Sequence, residues 1–378
     1  MSAKLKICHV VATLDTGGME NGVINISNKI DRSRFEPAVV CVKAAGSMAS
    51  RLAPDVRLIN FKAPEGRHPF RFTQLGRLFR AEDFSIVHTH GWGGCSLDGI
   101  LGAKWGRIPL VINGEHGAFF LHPRQLMIQR FVYKLCDANL AVSDDLKDKV
   151  VQNLGIPAQK ITTITNGVDC DRFHGRYDTT ALLAELGISP SPSQLIIGNI
   201  GSLKPSKNQS LLLQAASGLL RDHPTLKLIL LFIGDGPDRS KLEKQTRELG
   251  LEKHAHFLGL REDIPQVLSI IDLLVTVSTS EGMSNVTLEG FASEVPIVTT
   301  QSVGMSEIVR NGETGFLLNK NTVDELYRQL LEICTMPREQ LKDMGKTARE
   351  FVLQHHSIDK MVQNYEEFYI KLWENKHL

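Results

Sequence analysis

Two doubly wound α/β domains, each a parallel sheet with helices on both faces, are the fold this chain predicts. Three observations carry that reading. Its 378 residues exceed what one hydrophobic core usually serves. Short apolar strands alternate with amphipathic helical stretches from end to end, the pattern of parallel sheets. Near residue 170 the alternation stops: Thr165 to Phe173 holds an Asn-Gly turn signal, and a polar, proline-bearing stretch follows. The boundary therefore goes there, with a first domain over residues 1–172 and a second domain over 173–356.

In chain order, the first series of strands runs Leu5–Ala12, Pro37–Val42, Ser85–Thr89, Leu110–Asn113, Ala138–Val142 and Ile161–Ile164. The second runs Leu195–Ile200, Leu226–Ile233, Ala255–Phe257, Leu273–Val277, Pro296–Thr299 and Thr314–Leu317. Each is an apolar run of strand length bounded by turn residues. Met19–Ile30 reads as the first helix. In the tail, residues 357–378, Met361, Tyr365, Phe368, Tyr369 and Leu372 recur at helical spacing, predicting a helix placed to pack back on the first domain. No short-period repeat or low-complexity segment interrupts the series.

Hydrophobic content of 42% and charged content of 22% are those of a soluble globular protein. No apolar run reaches the roughly 18 residues of a membrane span. The apolar N-terminus runs into Gly17-Gly18 without a small-residue cleavage site, so it reads as a first strand and not as a secretory signal. Six cysteines scattered without CxxC spacing match buried cytosolic thiols. The net charge of +1 hides an asymmetry: residues 43–134 hold 13 basic and 6 acidic side chains. A basic first domain could meet an anionic membrane or a phosphate-bearing acceptor. The expected location is cytoplasmic, with peripheral contact at the inner face of the membrane, and no nucleic-acid partner is expected.

The most informative segment is Ser280 to Gly290, where an apolar strand ends and Glu281 and Glu289 bracket a helix start. Ser284 or Asn285 can cap that helix, leaving backbone N–H groups aimed beyond the strand's carboxyl end, an anion site by geometry. The two glutamates stand about 8–12 Å apart along the axis. Carboxylates on either side of an anion hole suit a ligand with hydroxyls at both ends and phosphates between them, as in a nucleotide-sugar. Gly17-Gly18 after the first strand, and Gly201-Ser202-Leu203-Lys204 through Lys207 after the first strand of the second series, open helices in the same manner. Neither is a dinucleotide fingerprint or a Walker A loop. Lys204 and Lys207 oppose the helix dipole, which a bound diphosphate would offset. Gly234-Asp235-Gly236-Pro237 and Phe257-Leu258-Gly259-Leu260 lie at strand ends on the same sheet edge, where open parallel sheets bind ligands.

Taken in order, these motifs, with Asn166-Gly167-Val168-Asp169 and Gly312-Glu313-Thr314-Gly315-Phe316, resemble the retaining glycosyltransferases of family 4, which have the GT-B fold. The loop at Gly17-Gly18 and the segment Gly114-Glu115-His116-Gly117 resemble the exopolysaccharide-type members. The resemblance implies a nucleoside-diphosphate-sugar donor and a glycan or lipid-linked acceptor. Glu281 would hold the donor hexose and Glu289 the ribose. Met283, Ser284 and Asn285 would meet phosphate or sugar through backbone groups, Lys207 would neutralise the diphosphate, and Leu260 would meet the base. Gly17, Gly18 and Gly234 would allow close approach to the donor. Where many members carry Arg, this chain has Ser202, and Lys204 stands in for the lost charge. His116 would approach the reacting sugar, with front-side attack needing no enzymic nucleophile, no cofactor and no metal.

Two decoys are set aside. Asp169-Cys170-Asp171 is a literal DxD, the metal signature of a different transferase fold, but it falls in the linker. His88 and His90 share a strand face, yet no third ligand has suitable local spacing, so they read as lining the acceptor side of the site, with core packing close behind as the alternative. A catalytically silent nucleotide-sugar-binding subunit is the rival function, opposed by the presence of both glutamates, Lys207 and His116. A nucleotide-dependent oxidoreductase is disfavoured by the missing fingerprint.

Overall fold

The computed structural model describes residues 4–377 apart from residues 16, 65, 67, 92, 118–122, 190, 192 and 280–282, and omits the side chains of residues 94 and 124. Thirteen strands are assigned: β1 Leu5–Val11, β2 Phe35–Cys41, β3 Arg57–Asn60, β4 Ile86–His90, β5 Leu110–Glu115, β6 Ala138–Ala141, β7 Ile161–Thr163, β8 Gln194–Ile200, β9 Lys227–Ile233, β10 Ala255–Gly259, β11 Leu273–Thr276, β12 Ile297–Thr300 and β13 Gly315–Leu318. All strand pairings within the two sheets are parallel, in the orders β3-β2-β1-β4-β5-β6-β7 and β10-β9-β8-β11-β12-β13. The α/β class with two doubly wound sheets is therefore as predicted. Strand β3 was not: its side chains are mostly exposed at the sheet edge, so Arg57-Leu58-Ile59-Asn60 carries no buried apolar run to betray it.

Two compact units emerge, one of residues 1–167 with 358–378 and one of residues 168–357. In the first, Leu5, Ile7, Ile86, Leu110, Ile112 and Leu140 of the sheet pack against the C-terminal helix Ile358–His377 through Ile358, Met361, Val362, Tyr365, Phe368 and Tyr369. At about 1.5–3 kcal/mol for each buried side chain, those six contribute on the order of 10 kcal/mol before chain entropy is subtracted. Polar contacts add direction more than strength: Lys29 meets Asp359 at 2.8 Å, Lys376 meets Asp137 at 2.6 Å, and Glu366 accepts from the Asp31 N–H at 2.7 Å.

In the second unit, β8, β9 and β11 supply Leu195, Ile197, Leu228, Leu230, Phe232, Leu273 and Val275 to a core closed by the helices Gln209–Asp222 and Val323–Thr335. In both sheets the winding reverses between the first and fourth strands of its series, β1/β4 and β8/β11. Loops leaving adjacent strands at such a point diverge to opposite faces and open a crevice at the carboxyl edge. Among the described residues, no helix is long and apolar enough to cross a membrane.

Candidate active site

In the second unit, the loops leaving β8, β9, β10 and β11 meet at one edge. The β8 loop is fastened to β9 by Gly201 N–H donating to Ile233 O at 2.8 Å and Leu203 N–H donating to Asp235 O at 3.0 Å. Glycine is required for this approach. A Cβ on Gly234, whose φ is +134°, would stand 2.1 Å from Gly201 O, and one on Gly236 2.3 Å from Leu203 O. That is the physical content of the Gly-Asp-Gly-Pro motif. Gly234 N–H in turn donates to Gly259 O at 2.8 Å, which fixes the turn that leaves Leu260 74% exposed at the β10 end.

Lys207 ends a short 3-10 turn, Pro205–Lys207, and its Cε lies 3.9 Å from where a Gly201 Cβ would be. The stem therefore crosses the glycine. Ser202 and Lys204 are exposed on the same loop. Ser206 O accepts from Thr279 N–H at 2.8 Å and, more weakly, from Thr279 Oγ1 at 3.3 Å. The lysine loop is thereby tied to the segment leaving β11, the other side of the switch point. Beyond it Ser284 caps the helix Asn285–Ala292, its Oγ accepting from Thr287 N–H at 3.3 Å. Met283 and Ser284 are buried, while Asn285 and Glu289, one turn apart on that helix, are half-buried. Ser202, Lys204, Lys207, Gly234, Leu260, Met283, Ser284, Asn285 and Glu289 therefore share one sheet edge in the second unit. Glu281 lies outside the described residues.

In the first unit, Gly17 caps the helix Gly18–Lys29 with extended backbone, and the Glu20 carboxylate folds over it: a Cβ there would stand 2.1 Å from Glu20 Oε2. Burial raises the Glu20 carboxyl above its ordinary range. His116 follows the end of β5. Just before it, Glu115 is buried and receives the Tyr133 hydroxyl, with Gln129 Nε2 at 3.4 Å. Burial pushes this carboxyl up to about 7, against hydrogen bonds from Tyr133 and from the backbone N–H groups of His116 and Gly117 that favour the anion.

The histidines of β4 take the alternative reading, packing in the interior. His88 and His90 are 0% and 4% exposed, and His88 lies under the C-terminal helix, its Nδ1 2.8 Å from Tyr369 Oη. Their third companion comes from another strand: His9 of β1 sits opposite His88 in the parallel register. One ring nitrogen of each of the three lies within 4.8 Å of the others. That separation suits a divalent ion, but the rings are already joined: His9 Nδ1 is 2.9 Å from His90 Nε2, and His90 Nδ1 is 3.0 Å from His116 Nε2. Gly114 makes the convergence possible, because a Cβ there would fall 2.9 Å from His88 Nε2 and 3.3 Å from His116 Nε2. Local spacing could not reveal His9; only the β1-β4 pairing does. In the linker, Asp169 accepts from the backbone N–H groups of Asp171 and Arg172 at 3.2 and 3.1 Å, so its carboxylate shapes a turn.

Comparison with known proteins divides along the same lines as the fold. Residues 16–172 match the model described as Glycosyltransferase Family 4, and residues 188–351 match Glycosyl transferases group 1. The chain is 25% identical over 393 aligned positions to a UDP-Gal:alpha-D-GlcNAc-diphosphoundecaprenol alpha-1,3-galactosyltransferase of Escherichia coli, covering 99% of each. A glycosyltransferase from Rickettsia africae has the same fold, with a TM-score of 0.85 at 21% identity over 98% of this chain and 99% of that one. So has Anabaena Alr3699/HepE, solved with UDP-glucose, with a TM-score of 0.82 at 20% identity over 97% and 100%.

Proposed function

This chain belongs to glycosyltransferase family 4, and from that premise we propose that it transfers a sugar from a UDP-sugar to a hydroxyl of a lipid-diphosphate-linked glycan. The observation that carries the donor and acceptor classes is the end-to-end likeness to the E. coli transferase, whose own donor and acceptor are of those kinds. The β8–β11 edge supports it. A capped helix N-terminus and two lysines on a loop tied to the segment that leaves β11 supply fixed N–H groups and positive charge for a leaving diphosphate. Glu289 takes the ribose hydroxyls, Glu281 the hexose, and Leu260 the uracil.

Reaction proceeds with retention and without a metal. Attack from the side of the departing diphosphate lets that group help take the acceptor's proton, so positioning and charge stabilisation provide most of the rate. In a thermal-shift screen across UDP-, GDP- and ADP-sugars, a UDP-sugar at 100 times its dissociation constant is expected to stabilise the protein by about 2.7 kcal/mol. Sugar transfer is expected to persist in excess EDTA; a strict metal requirement would return attention to Asp169 and Asp171. A GDP- or ADP-sugar giving the only shift would overturn the donor class.

A lipid-linked acceptor places the enzyme at the inner membrane surface, and the helix Pro123–Leu135 suits that task. Gln129, Val132 and Tyr133 face inward, whereas Met127 is 68%, Ile128 43% and Phe131 61% exposed, with Arg130 and Lys134 beside them. Exposed apolar side chains flanked by cations are what an interfacial helix offers an anionic bilayer. Replacing Met127 and Phe131 together by Ser is expected to cut binding to phosphatidylglycerol vesicles about tenfold or more in a sedimentation assay, with the fold intact. Unchanged binding would remove this helix from the membrane contact.

A further inference from the structure

The row of imidazoles His9, His90 and His116 has a direction. Each ring joins the next through one Nδ1 and one Nε2. Neutral rings carry one proton each, so only two arrangements satisfy both hydrogen bonds. In one, every ring is protonated on Nδ1: His9 donates to His90, His90 donates to His116, and His9 Nε2 keeps a bare lone pair. In the other, every proton sits on Nε2 and the bonds run in reverse. The second arrangement buries an N–H at His9 Nε2, which has no partner in the interior. A buried donor left without an acceptor is worse than a buried lone pair left without a donor. The first arrangement is therefore favoured.

We propose that His9 and His90 are positioning residues that hold His116 as a neutral imidazole with its proton on Nδ1. Fixed in that way, His116 offers its ligand a hydrogen bond and cannot take a proton from it. The role toward a ligand rests on the family 4 reading, whose resemblance implies that His116 approaches the reacting sugar; the tautomer does not. Burial supports the neutral state: it drives His9 and His116 down to about 4 and His90 well below its ordinary value. His116 Nδ1, the far end of the row, has no partner among the described residues, so the N–H is available. His88 stands outside the row, its Nδ1 being engaged by Tyr369.

Long-range proton–nitrogen correlation spectra of histidine-labelled protein near neutral pH read each tautomer directly. The expected result is a protonated Nδ1 and a bare Nε2 on His9, His90 and His116; a protonated Nε2 on His116 overturns the proposal. Zn²⁺ added to one equivalent is expected to leave these resonances in place, and a saturable shift of His9, His88 and His90 that EDTA reverses would overturn the relay in favour of an ion site. In the variant His90→Phe, His116 should show both tautomers and kcat should fall about tenfold with KM nearly unchanged, whereas His90→Asn, which keeps a donor at the place of Nδ1, should restore both. At the ligand end, His116→Asn should keep turnover within about tenfold and His116→Asp should lose at least a hundredfold. The reverse order would mean that His116 accepts a proton and sinks the proposal. Wild-type turnover in both His116 variants, with the expected spectra, would instead refute the contact between His116 and substrate.

Discussion

Acidification from about pH 7 to pH 4.5 is expected to strip the first unit of several kcal/mol of stability, more than any other change of conditions this fold predicts. His9 is fully buried, and burial lowers it from 6.5 to about 4. Between those values the unfolded chain binds a proton that the folded state does not, so stability is full above about 6.5 and is lost as pH falls toward 4. At about 1.4 kcal/mol per unit, His9 alone accounts for roughly 3 kcal/mol. His88 and His90 are shifted in the same direction by burial and by one another, and His116 is lowered to about 4. Glu115 works the other way: raised to about 7, it makes the fold less stable as pH rises from about 4.5 to 7. Glu20 and Asp98, whose carboxyls burial also raises, act in the same direction as Glu115, and the four imidazoles outweigh them. The groups packed around the cluster from the C-terminal helix are the phenols of Tyr365 and Tyr369, which carry no charge in this range to compensate. Urea titrations at several pH values, following the transition of the first unit, check this. A midpoint independent of pH between 6.5 and 4.5 would show that the imidazoles are not held neutral, and His9→Leu should flatten the dependence.

Loss of the carboxylate at Glu289 is expected to weaken nucleotide binding by tens-fold. The helix Asn285–Ala292 starts from a Ser284 cap and is anchored by Thr287, Leu288 and Phe291 in the interior, so Glu289 is carried on a rigid turn at the same sheet edge as the lysine loop. Hydrogen bonds from ribose hydroxyls to a carboxylate contribute about 1.5–3 kcal/mol, and every 1.4 kcal/mol is tenfold in affinity. Calorimetry of UDP against Glu289→Ala measures it, with thermal unfolding as the control that the helix is intact. Equal affinity in a folded variant would remove Glu289 from the donor site.

The two units were legible to different degrees. The β8–β11 edge is written in contiguous motifs because each of its loops does its work locally. Gly234 and Gly236 are needed where two backbones touch, and Ser284 is needed where a helix begins. Even there the hydrogen bond from Thr279 to Ser206 joins residues 73 apart and has no signature in either segment. Edge strand β3 went unseen because, with little apolar burial, its residues look like a loop.

Legible in the chain alone were the alternation of strands and helices, the family, and the glycine, serine and lysine positions at the strand ends. These follow from periodicity and turn chemistry, which act over a few residues. Tertiary structure alone decided that His9, 79 positions before His88 in the chain, would become its neighbour, and that Gly114 would leave room for the rings to meet. It also decided that Tyr369, from the far end of the chain, would cover them. The reason is physical: strand order β1-β4-β5 is set by which apolar faces and crossovers pack best over the whole unit, and no local pattern encodes which strand lies next to which.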